Sequence, residues 1–165
     1  GLAELGITSQ KPDRLTARIE TALGTGAIIS AGEHPLVLRQ YLPATGRTRS
    51  SSMLVGRLLP TVTSATTGLF TDDGSGNLSG NITIDGLLLG RNEDAILVVL
   101  YQNGSVVHQF DVIKPVPPIG DPPDPQDQIV VGIAGTDRVR AGSYLVIVVV
   151  NGQQARTSPT VTLAP

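Results

Sequence analysis

Apolar and polar residues alternate along much of the second half of this chain, and the alternation predicts short β-strands. The segment LSGNITIDGLLLG (residues 78–90) places Leu78, Ile82 and Ile84 on one side of an extended backbone. The clearest element is AILVVLYQNGSVVHQFDV (residues 95–112), in which two β-rich runs flank an Asn-Gly dipeptide. Asn-Gly accepts positive φ at both central positions of a tight turn, so this segment is predicted to be a β-hairpin.

The C-terminal stretch RAGSYLVIVVVNGQQARTSPTVTL (residues 140–163) repeats this design. The run from Tyr144 to Val150 is rich in β-branched residues and predicts a central strand of a sheet. The pair Asn151-Gly152 then turns the chain, and a last strand is predicted over residues 157–163. About seven short strands separated by turns favour an antiparallel Ig-like β-sandwich. The fold class is therefore expected to be mostly β, with a short N-terminal α/β segment.

The N-terminal part of the chain has a different pattern. KPDRLTARIETALGTG (residues 11–26) predicts a helix, since Pro12 suits a first helical position and Gly24 a C-terminal cap. The two expected domains are residues 1–50, a helix and extended segment, and residues 51–165, the sandwich.

Three connecting segments are predicted from turn residues and prolines. Residues 44–53, ATGRTRSSSM, are expected to be a linker or exposed loop. Residues 54–67 are expected to form a strand with Pro60 at an edge or a bulge. Residues 114–128, KPVPPIGDPPDPQDQ, predict a proline-rich acidic crossing that cannot lie inside a sheet.

The composition of the chain argues against several classes of function. The formal net charge is −2, so a basic surface for nucleic acid is not expected. Aromatic residues make up 3% of the chain and Trp is absent, which disfavours stacking platforms for sugars or bases. The chain has no Cys, which excludes disulfides and thiolate chemistry. The longest apolar run is too short to cross a bilayer, so membrane insertion is not expected.

The two histidines and the polar clusters give weak signals for chemistry. Neither His34 nor His108 has a second histidine at ligand spacing, and both are interpreted as ordinary strand residues. The loop TDDGSGN could offer oxygen atoms of Asp72, Asp73 and Asn77 to calcium, but its spacing is not that of an EF-hand, and a solvated hairpin loop is favoured. The GSGNLSG run lacks the Lys of a phosphate-binding loop.

Two charged segments are also interpreted as solvated surface. Residues 121–127, DPPDPQD, read as a stiff connector whose charges discourage edge pairing, and residues 47–52, RTRSSS, as a basic patch that could touch an acidic neighbour. No catalytic, cofactor-binding or metal-binding residue is predicted, and the chain is not expected to be an enzyme.

The strand–turn–strand segments carry a resemblance to known modules. LSGNITIDGLLLG followed by ILVVLYQNGSVV resembles the entry of bacterial Ig-like modules of the IPT/TIG type. VRAGSYLVIVVVNGQQARTSPTVTLAP resembles their closing pair of strands. The same ending is similar to the C-terminal Ig-like domain of cap, or tube-terminator, proteins of phage-tail-like contractile injection systems. In that family an α/β domain of the terminator type precedes the Ig-like domain, and residues 1–50 are expected to be its end.

The resemblance implies a structural role without a cofactor. A cap protein closes the end of the inner tube as a homo-oligomeric ring, a hexamer by family membership, and engages tube and sheath proteins. It implies assembly in the bacterial cytoplasm and then a place in a virion-like particle. The alternative is an Ig-like binding module of a bacterial surface or secreted protein. In an assembly protein, the extended segment His34–Pro43 could add a strand to a neighbour's sheet edge.

Overall fold

The computed structural model describes the backbone of residues 6–11 and 14–18, and residues 29–122 and 124–165 with their side chains. Fifteen strands and one 3-10 turn are found in these ranges. The strands are β1 (Gly6–Lys11), β2 (Arg14–Arg18), β3 (Gly32–Leu36), β4 (Arg39–Leu42), β5 (Arg47–Ser50), β6 (Leu54–Leu58), β7 (Thr61–Thr67), β8 (Thr71–Asp72), β9 (Leu78–Leu87), β10 (Ile96–Gln102), β11 (Ser105–Val112), β12 (Gln128–Ile133), β13 (Gly142–Val150), β14 (Gln153–Gln154) and β15 (Thr160–Leu163). The 3-10 turn covers Gly135–Asp137.

Two antiparallel sheets form a β-sandwich. One sheet has the order β12-β9-β7, and the short β8 also pairs with β9. The other has the order β11-β10-β13, and β13 pairs on its far side with β14 and β15. The expected mostly β, antiparallel sandwich is confirmed.

The strand order is that of an Ig-like Greek key. Without the two-residue strands β8 and β14, the sandwich has seven strands, β7, β9, β10, β11, β12, β13 and β15. The first, second and fifth of these share one sheet, and the third, sixth and seventh share the other, as in immunoglobulin domains. The fourth strand, β11, lies beside β10 in the second sheet, whereas in constant-type domains it joins the first.

The core lies between the two sheets and is built from cross-strand apolar pairs. Ile84 is opposite Ile129 in one sheet, and Val98 is opposite Val148 in the other. All four side chains are at most 1% exposed. Residues 144, 146, 148 and 150 of β13 are buried while those between are half-buried, so one face of this central strand carries the core. Apolar burial of this kind contributes roughly 1.5–3 kcal/mol per large side chain.

Both Asn-Gly dipeptides form the predicted tight turns. Asn103 and Gly104 have φ of 51° and 83° between β10 and β11, and Asn151 and Gly152 have φ of 49° and 76° between β13 and β14. Positive φ at both positions matches the right-handed twist of the flanking strands. After the second turn the chain bends away, and β15 pairs with the opposite half of β13, from Gly142 to Leu145.

Residues 32–58 form one long hairpin, which we call the arm. Strands β3 and β6 pair at its base, and β4 and β5 pair beyond them. Between the two pairs, residues 37–38 on one side face the three residues 51–53 on the other, so the register shifts by one residue, as in a β-bulge. At this bulge the Ser51 hydroxyl accepts a hydrogen bond from the backbone N–H of Leu38 at 3.0 Å. The boundary expected between residues 50 and 51 falls within the arm.

The structure differs from the sequence-based expectations at three places. The helix predicted over residues 11–26 is wrong at Arg14–Arg18, which is a strand paired with Gly6–Lys11; residues 12–13 and 19–26 lie outside the described residues. The linker predicted at residues 44–53 is exposed, but Arg47–Ser50 is a paired strand. The single strand predicted over residues 54–67 is two strands, because Pro60 lies between β6 of the arm and β7 of the sandwich.

Candidate interaction surfaces

The arm exposes apolar side chains that an isolated protein would normally bury. Residues 33–57 are exposed to solvent except for three half-buried positions. The exposed large apolar residues of the arm are Leu36, Val37, Leu38, Tyr41, Met53, Leu54 and Val55. Tyr41, Met53, Leu54 and Val55 are each more than 60% exposed. Contiguous exposed apolar surface of this kind is typical of protein interaction sites.

The arm is also basic. Between residues 32 and 58 there are four Arg and one Glu, which gives a formal charge of +3. Glu33 accepts a hydrogen bond from Arg57 at 2.9 Å and compensates that one charge. Arg39, Arg47 and Arg49 are exposed and form no ion pair with any side chain that the structure describes. The predicted basic patch of residues 47–52 is therefore part of a larger basic surface.

A two-stranded ribbon of this length has little intrinsic stability. The strand from residue 32 to residue 42 spans roughly 35 Å at about 3.3 Å per residue. Isolated hairpins are marginally stable in water, because a third strand or a packed layer is needed to bury a face. The arm is thus an exposed, apolar and basic hairpin that lacks a layer of its own chain to pack against.

The root of the arm, residues 29–31, is fixed to one end of the sandwich. Ala31 is 1% exposed and belongs to the sandwich core. The Asn151 side-chain amide donates to the Ala31 carbonyl oxygen at 2.9 Å and to Asp94 at 2.8 Å. Asp94 also accepts a hydrogen bond from the hydroxyl of Ser30 at 2.8 Å. These contacts join the root to the start of β10 and the end of β13, which are paired with each other at one end of their sheet.

Gln126 holds the root from the other sheet. Its side chain is fully buried, and Nε2 donates to the carbonyl oxygen of Ile29 at 3.1 Å. The backbone carbonyl oxygen of Gln126 accepts from the backbone N–H of Leu89 at 2.8 Å. The arm therefore starts from a well-anchored root, although most of its length is exposed.

A second surface, which we call the acidic face, comprises β11, the crossing segment 113–127 and β12. Asp111, Asp121 and Asp127 are exposed here. A shallow groove of about 320 Å³ runs between the end of β11 and the start of β12 and is lined by Val112, Ile113, Lys114, Pro115, Asp124, Asp127, Gln128 and Val130. The acidic face also exposes large apolar residues: Val106, Val107, Ile113, Val116, Ile119 and Val130.

One buried ion pair neutralises the single lysine of the acidic face. Lys114 is 9% exposed and its Nζ lies 3.0 Å from Oδ2 of Asp124. Oδ1 of Asp124 accepts a hydrogen bond from the backbone N–H of Gln126 at 2.7 Å. The charge of Lys114 is neutralised by Asp124 in this pair. The remaining carboxylates therefore make the acidic face negatively charged. The acidic connector predicted at residues 121–127 is thus partly structural at Asp124 and exposed at Asp121 and Asp127.

The Asp72–Asn77 loop uses its carboxylates to hold its own backbone. Oδ1 of Asp72 accepts hydrogen bonds from the N–H groups of Gly74 and Gly76, and Oδ1 of Asp73 accepts from those of Ser75 and Asn77. The hydrogen bond from the Asn77 side chain, followed by that from Ser75, lowers the pKa of Asp73 below its ordinary value of 3.8. The geometry is that of a hairpin loop closed by side-chain turns.

The two histidines lie in separate places. His34 Nε2 is 2.8 Å from the carbonyl oxygen of Ser30, at the base of the arm. His108 lies on β11, 3.7 Å from Oδ1 of Asp137, with its ring 4.4 Å from that of Phe110. Each contact joins two segments of the fold, and the histidines are not brought together.

The described residues contain neither a metal-binding cluster nor a membrane-spanning helix. Within residues 29–122 and 124–165, no three His, Asp or Glu side chains gather as a metal ion would require. No helix among the described elements is long and apolar enough to span a membrane. Comparison with protein-family models, with curated proteins and with solved structures gave no match.

Sequence patterns did not reveal the arm or its root. The residues that hold the root are far apart in the chain: Gln126 is 97 positions from Ile29, and Asn151 is 120 positions from Ala31. No local spacing connects them. The signal that pointed to the arm was the extended segment His34–Pro43, which contributes one of its two sides.

Proposed function

We propose that this protein is a structural assembly protein whose arm contacts neighbouring subunits. The observation that carries the proposal is the arm itself, an anchored hairpin with exposed apolar residues and a charge of +3. Interfaces are typically enriched in aromatic, Met and Arg side chains, and the arm exposes Tyr41, Met53 and three Arg side chains that form no ion pair with the described residues. Its work is binding, so the proposal includes no catalytic step and no cofactor.

The geometry anchors the root of the arm to the sandwich. Hydrogen bonds from Asn151 and Gln126 fix the root, and Ala31 is buried in the core. A sandwich with such an element reaches partners roughly 35 Å from its edge, at about 3.3 Å per strand residue. A partner that covers one face of the arm supplies the packing layer that a two-stranded ribbon lacks.

The resemblance of the closing strands to cap proteins supports a more specific form of this proposal. In this form the protein caps, or terminates, the tube and sheath of a contractile phage-tail-like particle in bacteria. Its partners are then further copies in a ring, six by analogy with that family, together with tube and sheath subunits. The Ig-like strand order of the sandwich is compatible with this assignment.

The test is to locate the chain in its source cells. Tubular particles are purified from cells that express the full chain with a C-terminal tag, and the tag is labelled for electron microscopy. The expected result is label at one end of the particles, and its loss when Leu36, Tyr41 and Val55 are replaced by Ser. A matched variant with Ser at Leu69 and Leu87, exposed apolar residues outside both the arm and the acidic face, separates the arm from exposed apolar surface elsewhere.

Two results would contradict the proposal. A tagged chain that is recovered free of any particle would rule out the cap assignment. A chain that binds an extracellular ligand as a monomer, equally well with the intact and the altered arm, would support an Ig-like binding module in place of an assembly protein.

A further inference from the structure

We propose that the arm of one copy binds the acidic face of a second copy of the same chain. This inference deepens the assembly role proposed above and rests on it. It names the partner of the arm and the surface that receives it.

The first argument is the separation of charge within the chain. The arm, residues 32–58, carries +3, whereas residues 105–133, which supply the acidic face, contain four acidic and one basic residue and carry −3. Opposite charges on two surfaces of one chain favour association between copies and speed their encounter. A partner of unrelated sequence would need the same acidic and apolar character that this chain already supplies.

The second argument is that both surfaces combine charge with exposed apolar residues. On the arm, Tyr41 and Val55 are 64% and 66% exposed. On the acidic face, Ile113 is 90% exposed and Ile119 is fully exposed. Burial of such side chains against each other supplies affinity, while the charged rim sets orientation. Binding between the two surfaces therefore buries the apolar side chains of both and pairs their opposite charges.

The third argument is the open edge of the second sheet. β11 pairs with β10 on one side, and no described strand pairs with its other side. On the arm, β4 pairs with β5 on one side only. Two strands with free edges can extend one sheet across a subunit boundary, as in β-strand addition. Asp111 near the end of β11 then faces the arginines of the arm.

The arm does not reach the acidic face of its own chain. Residues 35–41 and 43–55 are exposed, so the arm is not packed against its own sandwich. The contact joins two different surfaces, and every copy offers one of each. Such heterologous contacts propagate from copy to copy and close into a ring when the rotation permits.

The experiment is charge reversal followed by mixing. Variant one carries Arg39→Glu, Arg47→Glu and Arg49→Glu, and variant two carries Asp111→Lys, Asp121→Lys and Asp127→Lys. The control variant carries Arg138→Glu, Arg140→Glu and Arg156→Glu, which changes the net charge as variant one does but lies outside the arm. All the substituted side chains are exposed, and circular dichroism confirms that each variant is folded.

The mass of each full-length protein is measured by sedimentation velocity in about 0.05 M and about 0.5 M NaCl, because salt screens exposed charges. The wild type is expected to sediment above its 17.2 kDa monomer mass at low salt and to dissociate at high salt. Each of variants one and two is expected to associate at least about tenfold more weakly, while the control associates as the wild type does. An equimolar mixture of variants one and two is expected to recover association, because each reversed surface finds an oppositely charged partner.

The self-association and the assembly role are contradicted by different experimental outcomes. A wild type that stays monomeric at low salt, or a mixture that does not recover association, overturns the self-association. If the wild type is monomeric but its labelling of particles still depends on the arm, the assembly role stands and the second copy is excluded as the partner. If neither association nor particle labelling depends on the arm, both proposals fail.

Discussion

The hydroxyl of Tyr144 donates a hydrogen bond of 2.8 Å to the backbone carbonyl oxygen of Arg140, four residues earlier. Tyr144 is 2% exposed and lies near the start of β13, the sixth strand of the sandwich. A tyrosine at this corner, bonded to the backbone just upstream, is a hallmark of Ig-like sandwiches. It ties the crossing from β12 to β13 to the core.

Replacement of Tyr144 by Phe tests this corner. The substitution keeps the ring in the core but leaves the Arg140 carbonyl oxygen without its partner. We expect the free energy of unfolding to fall by about 1 kcal/mol, the typical net contribution of a hydrogen bond, because this one is only partly buried. Urea unfolding measures the change, and Tyr41→Phe on the exposed arm is the control with no expected effect. Equal stability of the two variants would show that the corner contributes nothing.

The two Asn-Gly turns provide a matched pair for the root of the arm. Asn103 and Asn151 have nearly the same φ, 51° and 49°, and both precede Gly. The Asn151 side chain also bonds Ala31 and Asp94 and accepts from the N–H of Ala95 at 3.0 Å. Substitution of Gly at either site retains the turn, since Gly accepts positive φ.

We therefore expect Asn151→Gly to destabilise the protein by about 1–3 kcal/mol more than Asn103→Gly. Thermal and urea unfolding give the difference. Limited proteolysis should also cut the Asn151→Gly variant faster near residues 29–31, because the root loses hydrogen bonds. Two variants with the same stability and the same cleavage rate would contradict the anchoring role of Asn151.

Shortening the arm tests its independence from the sandwich. Gly32 and Leu58 are opposite each other at its base, so residues 33–57 can be replaced by an Asn-Gly turn. Because the removed residues are largely exposed, we expect the free energy of unfolding to change by less than about 1 kcal/mol, as for other exposed segments. By contrast, Leu100→Ala in the core should cost about 2–5 kcal/mol. A large loss of stability in the shortened chain would mean that the arm is part of the folding unit.

Asp73 provides a pH-dependent test of the Asp72–Asn77 loop. Hydrogen bonds from Asn77 and Ser75 lower its pKa in the folded state below 3.8. A carboxyl group with a lowered folded pKa stabilises the protein above its unfolded pKa, and this contribution is lost as the pH falls through the folded pKa. Carboxyl NMR titration should show the pKa of Asp73 moving up towards 3.8 in Asn77→Ala. An unchanged titration would show that Asn77 does not hold the carboxylate.

The sandwich was predictable from the sequence because its signals are local. Alternating apolar residues mark β9, and each Asn-Gly dipeptide marks a turn by its conformational preference. The arm was not predictable in the same way, since both of its faces are exposed and its strands show no alternation. RTRSSS carries the composition of a linker, yet Arg47–Ser50 forms a strand because β4 offers backbone partners.

The predictions of an N-terminal helix and of one continuous strand through Pro60 are wrong for related reasons. Leu15 and the apolar residues that follow it have helical spacing, but pairing with β1 fixes Arg14–Arg18 in an extended form. Such pairing overrides weak helical propensity. At Pro60 the residues on both sides favour strands, so composition hides the point where the chain passes from the arm to the sandwich.

The contrast between local pairing in the arm and distant pairing in the sandwich has a consequence for the order of events after synthesis. A hairpin forms in about 1–10 μs, whereas all-β sandwiches dominated by distant contacts fold in milliseconds to seconds. The acidic face needs β11 and β12, which lie in different sheets and come together only when the sandwich closes. Under the proposed contact between copies, the slow closure of the sandwich sets the time of assembly, because a new chain binds an arm only once its own folding is complete.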